Sequence, residues 1–271
     1  MIADKLISLG LRITKKEFEN MLSSHLDWNN FYEIDQIRDS DIVIAGYPKS
    51  GNTWMQSLVA GILYGIDTQF LPDSLAQEIV PDLHCKKYYK RFSDITFFKS
   101  HHLPKREYRR VIYLSRDGRD VMLSYWHFNK IQGMQISFED FVLSGKGVFP
   151  AKWHEHVESW CENKYSADIL FVRYEDLLIN TIGQLKKICE FAGINREDEM
   201  LEKVAIGCSF RNMQKKEKKF GFDCKKWRGD GKSKRFFRKG MQGEYKEKFP
   251  PAILKIFEEK SKNALKLLSY L

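Results

Sequence analysis

The run Gly46-Tyr-Pro-Lys-Ser-Gly-Asn-Thr53 holds the residue types of an anion cradle. Glycine lets backbone N–H groups close on a negative charge, and a helix opening after the loop adds unsatisfied donors and a positive partial charge. The spacing departs from that of a nucleotide-triphosphate loop. Asn52 stands where the lysine belongs, and the only lysine, Lys49, sits inside the loop, from where it meets an anion from the opposite side. A second group of interest is Lys99-Ser-His-His102. An imidazole titrates near about 6.5 and takes a hydroxyl proton at neutral pH. Neighbours on a strand point to opposite faces, so one of the two histidines serves. His154 and His156 lie two apart, but with no third ligand nearby no metal site is expected. The third feature is charge. Residues 211–239 carry thirteen Lys and Arg against three acids, so this segment accounts for all of the net charge of +9. It either meets an anion or forms a solvated loop.

The elements that must position these groups follow from hydrophobic patterning. Residues 41–46 are an apolar run ending in glycine, which reads as a buried strand. The loop 47–52 follows, then a helix over 53–64 with Met55, Leu58 and Ile62 on one face. Strand, glycine loop and helix together open a doubly wound α/β fold. Further strands are expected at 95–99, 110–115 and 168–173, with helices at 120–128 and near 181–192. Fully apolar strands suit a parallel sheet flanked by helices on both faces. Residues 1–38 read as a helical lead-in and 252–271 as one C-terminal helix, while 66–94, 129–152 and 212–237 read as irregular.

Composition narrows the class. With 43% apolar and 14% aromatic residues among 271, the chain buries a real core and is not disordered. No apolar run approaches the ~18 residues of a membrane span, so no membrane anchor is expected, and the N-terminus lacks a signal-peptide pattern. The five cysteines (Cys85, Cys161, Cys189, Cys208, Cys224) are scattered, without a CxxC pair, which suits a reducing, cytoplasmic setting.

Five segments, in order, carry a resemblance to one family. YPKSGNTW (47–54) is similar to the 5′-phosphosulfate loop of the cytosolic sulfotransferases, which use 3′-phosphoadenosine 5′-phosphosulfate (PAPS). FFKSHHLP (97–104) resembles their catalytic-histidine strand. RRVIYLSRDGRDVMLSYWHF (109–128) resembles their 3′-phosphate strand and helix. FVRYEDL (171–177) resembles their central Tyr-Glu-Asp strand, and FRKGMQGEYKEKF (237–249) their Arg-Lys-Gly loop. The matched core spans 41–249 of a single domain covering 1–271.

The resemblance implies a P-loop-type α/β fold and transfer of a sulfuryl group from PAPS to a hydroxyl of a small apolar or aromatic acceptor, leaving PAP. It implies His101 as general base when counted from Lys99; counted back from Leu103-Pro104, the same pattern selects His102. It assigns Lys49 to the bridging phosphate oxygen and Lys99 to a sulfuryl oxygen. Ser50, Gly51, Asn52 and Thr53 would hold the 5′-phosphate, and Arg116, Ser124, Arg238, Lys239 and Gly240 the 3′-phosphate. Trp54 and Phe210 would sandwich the adenine, with Tyr174, Cys208 and Ser209 at its edge. His156 would border the acceptor pocket, and no metal would take part.

Two departures stand out. The family has Thr where this chain has Cys208, which weakens one hydrogen bond. Its dimerisation motif is replaced by Lys246-Glu-Lys-Phe-Pro-Pro-Ala-Ile-Leu-Lys255, whose prolines remove backbone donors. A monomer, or a dimer built on another surface, is expected. Two other readings compete. A P-loop small-molecule kinase is opposed by Asn52 and by the lack of a strand-end magnesium carboxylate. A nucleic-acid binder would use Phe210, Phe220, Phe222, Trp227, Phe236 and Phe237 between the basic residues of 211–239. The segment's place beside the cofactor favours a lid, so no nucleic-acid partner is expected.

Overall fold

A computed structural model describes residues 30–222 and 235–271. Most of the expected N-terminal helix, together with Cys224 and Trp227, lies outside the described residues. The described strands are β1 (Phe31–Glu33), β2 (Ile42–Ala45), β3 (Tyr88–Lys90), β4 (Phe97–Ser100), β5 (Arg110–Ser115) and β6 (Asp168–Arg173). The helices up to the middle of the chain are α1 (Asn52–Tyr64), α2 (Asp73–Ile79), α3 (Gly118–Ile131), α4 (Phe138–Leu143) and α5 (Trp153–Glu162). Beyond them come α6 (Tyr174–Ile179), α7 (Thr181–Ala192), α8 (Asp198–Gly207) and α9 (Phe210–Phe220), then α10 (Tyr245–Lys248), α11 (Pro251–Lys260) and α12 (Lys262–Leu267).

Four strands form a parallel sheet in the order β4-β2-β5-β6. Ala45 at the end of β2 lies opposite both Ser100 and Tyr113, and Ser115 at the end of β5 lies opposite Arg173. The inner strands β2 and β5 are apolar through their centres because both faces are covered, while the edge strand β6 stays partly exposed. Ile42, Ile44, Ile112, Leu114 and Val172 point to one side, against Met55, Leu58, Leu185 and Ile188 of α1 and α7. Their alternates Val43, Ala45, Val111 and Tyr113 point to the other, against Tyr108 and Trp160 of α5. Each fully buried aliphatic side chain contributes about 1.5–3 kcal/mol. A separate antiparallel pair, β1 with β3, brings Tyr32 opposite Tyr89.

The strand order sets the functional edge. From β2 the chain returns to β4 on one side, then crosses to β5 on the other. The carboxyl ends of these strands therefore diverge around β2, the crevice in which open α/β sheets bind ligands. The anion loop, His101, Arg116 and Tyr174 all follow immediately from strands of this edge.

Several segments differ from expectation. The stretch 30–38 holds β1, not helix, because Tyr32 and its neighbours find a partner strand more than fifty residues away. The stretches expected as irregular contain α2, β3, α4 and α9. In α9 the sequence FRNMQKKEKKF is mostly polar, but its few apolar residues fall on one face, with Met213 buried in the core; tertiary contacts reinforce it. Lys216 Nζ donates to the Thr68 carbonyl at 2.8 Å, and the Glu217 carboxylate accepts the Phe236 and Phe237 amides. The C-terminal helix is two helices broken at Ser261, whose φ of −101° leaves the helical range. Phe257, Ala264, Leu265 and Leu268 keep one apolar stripe across the break, so periodicity alone conceals it. Pro250 and Pro251 open α11, where a missing N–H costs nothing.

Candidate active site

The loop after β2 is shaped by two residues in the left-handed region, Lys49 at φ 72° and Gly51 at φ 102°. Gly51 precedes α1 and no side chain caps that helix, so its first N–H groups point into the crevice. A Cβ on Gly51 would stand 2.7 Å from Tyr174 Cδ2. Gly51→Ala is therefore expected to cost about 1–2 kcal/mol from backbone strain alone, visible as a lower Tm; an unchanged melt would show that the loop reshapes freely. Ser50 is buried and its hydroxyl has no partner among the described residues. Asn52 is also buried; its Nδ2 donates to the Tyr47 carbonyl at 2.9 Å, which makes it a brace of the loop. Thr53 follows it, buried, in the first turn of α1.

Lys49 carries its ammonium onto two ring faces, 3.7 Å from the Phe236 centroid and 4.6 Å from that of Phe128. Burial, then the Arg116 and Lys99 charges, pull its pKa down to about 7; the ring faces oppose that pull. Arg116 ties the crevice together. Its Nη1 donates to the Lys49 carbonyl and its Nη2 to that of Met241, both at 3.1 Å, and its guanidinium lies 4.3 Å over the Tyr174 ring. Its Nε is buried without a partner. The neighbouring Asp117 pairs with Arg119 instead. Ser124 is half-buried two turns into α3, on the helix whose Asp120 carboxylate accepts the Gly243 and Tyr245 amides at 2.6 and 3.0 Å. That clamp fixes the loop of Arg238, Lys239 and Gly240. Gly240 is at φ 64°, with the Phe210 ring so close that a Cβ would lie 2.3 Å from it. Trp54 donates its Nε1 to the Cys208 carbonyl at 2.8 Å and meets Tyr174 edge-on at 5.7 Å. The Cys208 side chain lies in the core and burial pushes its thiol up to about 11. Ser209 caps α9 by position, without a side-chain hydrogen bond, directly before Phe210.

The two histidines after β4 part as strand neighbours should. His101 Nδ1 lies 2.8 Å from the Gly46 carbonyl. A carbonyl only accepts, so Nδ1 carries the proton and Nε2 keeps the lone pair. Burial, then the Lys99 charge, lower its pKa to about 3. His102 turns away to the Tyr108 hydroxyl, 3.0 Å from its Nδ1, and burial takes it to about 4. Lys99 is buried against Asp82, Nζ to Oδ2 at 2.8 Å. Burial opposes the Lys99 charge, but Asp82 overcomes it and raises the lysine's pKa; Asp82 itself, for all the cost of burial, is held well below the usual carboxylate range by Lys99 and His101.

His84 is the residue that sequence reasoning missed. Its Nε2 accepts the His101 backbone N–H at 2.8 Å, its backbone N–H donates to Asp82 Oδ1 at 2.8 Å, and its ring stacks 5.4 Å from His101. The signal was present as Asp82-Leu-His84: a bridge residue beside Lys99 followed by a tight turn, with the Asp82 carboxylate paired to Lys99 and the His84 ring turned to His101. His156 lies fully buried behind the loop, Nδ1 3.1 Å from the Tyr113 hydroxyl and ring 5.4 Å from Tyr47. Burial lowers it to about 3, against the pull of the His101 and His102 backbone. His154 faces Ser261 instead, so the two histidines share no ligand.

Residues 39–269 match the model of the sulfotransferase domain. The chain belongs to the sulfotransferase family. It is an enzyme that moves a sulfuryl group from PAPS to an acceptor hydroxyl. Among its relatives, sulfotransferase 1B1 of Canis lupus familiaris is 30% identical over 248 residues, 83% of each chain. Sulfotransferase 1E1 of Bos taurus is 29% identical over 253 residues, 84% of this chain and 85% of the relative. The solved structure of mouse sulfotransferase SULT7A1, complexed with PAP, superposes with a TM-score of 0.65 at 25% identity, covering 92% of both chains. Within this sulfotransferase Lys49, Arg116, Trp54 and Tyr174 lie together beside the loop, the Cys208 side chain faces the core, and His156 lies behind the loop. No described helix is long and apolar enough to cross a membrane.

Proposed function

We propose that one domain spanning 1–271 binds PAPS across the carboxyl edge of the sheet, with loop 46–53 as its P-loop-type cradle. The single observation that carries this reading is unmet donor capacity at the loop and at the end of β5 beside it. The N-terminus of α1 is uncapped, and the buried Ser50 hydroxyl and Arg116 Nε have no partners among the described residues. Such groups are costly unless an anion meets them. The groups offered are backbone N–H, O–H and cation, and they fit two anionic ends; Asn52 offers only its backbone N–H, since its Nδ2 is spent on Tyr47 and its buried Oδ1 is an acceptor without a partner among the described residues. Lys49, Ser50, Gly51, Asn52 and Thr53 serve the 5′ end, and Arg116, Ser124, Arg238, Lys239 and Gly240 the 3′ end. Trp54, Tyr174 and Phe210, with Cys208 and Ser209 beside them, supply a base-stacking wall. Once bound, PAPS brings the sulfuryl group and a phosphate leaving group.

The chain's own task is then positioning and proton movement. His101 Nε2 accepts the acceptor's hydroxyl proton while Nδ1–H stays on the Gly46 carbonyl, which orients the ring and supports its positive charge. Lys49 stabilises charge on the leaving oxygen, and Lys99, oriented by Asp82, lies next to the base. We assign a small aromatic hydroxyl as acceptor: Phe149 is 46% exposed and meets His84 edge-on at 5.4 Å, an aromatic approach to His101, with His156 behind it. The chain acts as a monomer or through a surface other than the family's motif, since prolines open α11 there.

Thermal shift tests the donor. At a hundredfold excess over Kd, PAP is expected to add about 2.7 kcal/mol, while ATP with Mg²⁺ adds little. Labelled PAPS offered with phenols, alcohols, amines and sterols should then label phenols first. Stabilisation by ATP–Mg²⁺ and not by PAP would overturn the reading.

A further inference from the structure

Beside the crevice, one carboxylate holds both cations of the Arg238-Lys239-Gly240 loop. Glu244 accepts Arg238 Nη1 at 2.8 Å, Arg238 Nη2 at closer range, and Lys239 Nζ at 2.8 Å. Its side chain is only 12% exposed, and the Arg238 pairing, against a smaller cost of burial, brings its pKa to about 2. Its position is fixed on both flanks, because the amides of Gly243 and Tyr245 are clamped by Asp120 on α3, the helix that carries Ser124. The pairing is two-pronged. Glu244 occupies the Nη1–Nη2 edge of the guanidinium, one of its two edges able to grip a phosphate bidentately, and holds the Lys239 ammonium as well. One edge cannot serve two anions at once.

We propose that Glu244 is a specificity-determining residue for the donor: an internal counter-anion that occupies Arg238 and Lys239 until the 3′-phosphate displaces it. This rests on the reading that those two cations meet the 3′-phosphate. Its consequence is that the donor is held less tightly than two unpaired cations would hold it, and that PAP leaves against a carboxylate ready to take its place. The effect is confined to ligands bearing a 3′-phosphate.

The test is calorimetric titration of the full chain and of Glu244→Gln with PAP and with adenosine 5′-phosphate, which lacks the 3′-phosphate. Glutamine keeps the shape and one acceptor but removes the charge. PAP is expected to bind about five- to tenfold tighter to the variant, the worth of one or two partly exposed ion pairs, with the gain shrinking as salt is added. Adenosine 5′-phosphate should bind both proteins equally. Unchanged or weaker PAP binding in Glu244→Gln would overturn the proposal, as would an equal gain for adenosine 5′-phosphate. Should Glu244→Gln fail to fold, Glu244→Asp, too short to span both cations, is expected to give a smaller gain in the same ligand order, and no gain there overturns it too. Failure of PAP to bind the unaltered protein would instead sink the reading of the donor site.

Discussion

His101→Ala is expected to lower turnover by about 10²–10⁴-fold, while PAP binds as before. The reason is the tautomer: Nδ1–H is committed to the Gly46 carbonyl at 2.8 Å, so the only basic lone pair of that ring is Nε2. His102→Ala should keep most of its turnover, because the His102 ring is spent on Tyr108. The opposite pattern, with turnover lost in His102→Ala and kept in His101→Ala, would move the base by one residue. The pH profile adds a second reading. Burial and Lys99 depress His101 to about 3, so the free enzyme keeps its base neutral far below the ordinary histidine range. The acid limb of kcat/KM should therefore not show a midpoint near about 6.5. Stability has the same sign. His101, His102 and His156 all have folded values below the unfolded one, so the unfolded chain binds more protons as pH falls below about 6.5, and the fold weakens there toward pH about 3. The profile is thus measured only where the melt shows a folded protein.

Lys49→Met should cost about 10²–10³ in kcat, with a smaller loss of PAP affinity. Methionine keeps the length and the contact with Phe128 and Phe236 but removes the charge from the loop. The proton balance of binding separates this role from packing. In the unliganded protein Lys49 titrates at about 7, because burial and two neighbouring cations disfavour its charge. An anion in the loop favours the charged form. Above pH about 7 binding must therefore take up a proton, and affinity falls as pH rises. Calorimetry at pH 8 in two buffers of different ionisation enthalpy should show that uptake in the unaltered protein and its loss in Lys49→Met. Equal heats in the two buffers for both proteins would mean that Lys49 does not face the anion.

The strands show how far patterning reaches. Residues 110–115 and 168–173 were legible to the residue because each is an apolar run of strand length bounded by charged or polar residues, although only the first is covered on both faces and the second is a partly exposed edge strand. The loop of Lys49 and Gly51 was legible because a strand, two glycines and a helix start within ten residues admit few geometries. Polar elements were not. In α9 the apolar residues Phe210, Met213 and Phe220 mark one face only thinly, and Lys216 and Glu217 on that face are held by Thr68 and by the backbone of Phe236 and Phe237, partners far along the chain.

At the site, residue types and spacing marked an anion-binding glycine loop with a displaced lysine and a histidine pair able to act as a base, and the resemblance of five ordered segments to one family supplied the sulfuryl-transfer reading and the parts of Lys99 and Arg116. That the His101 Nε2 is left free while His102 turns to Tyr108, that Asp82 and His84 stand beside Lys99 and His101, and that Glu244 holds Arg238 and Lys239 were decided only by the tertiary structure. Hydrogen-bond partners such as the Gly46 carbonyl and His101, or Asp82 and Lys99, lie 17 to 55 residues apart along the chain. A side chain's local sequence sets what it can donate or accept, but only the closed fold settles who stands within three ångströms of it.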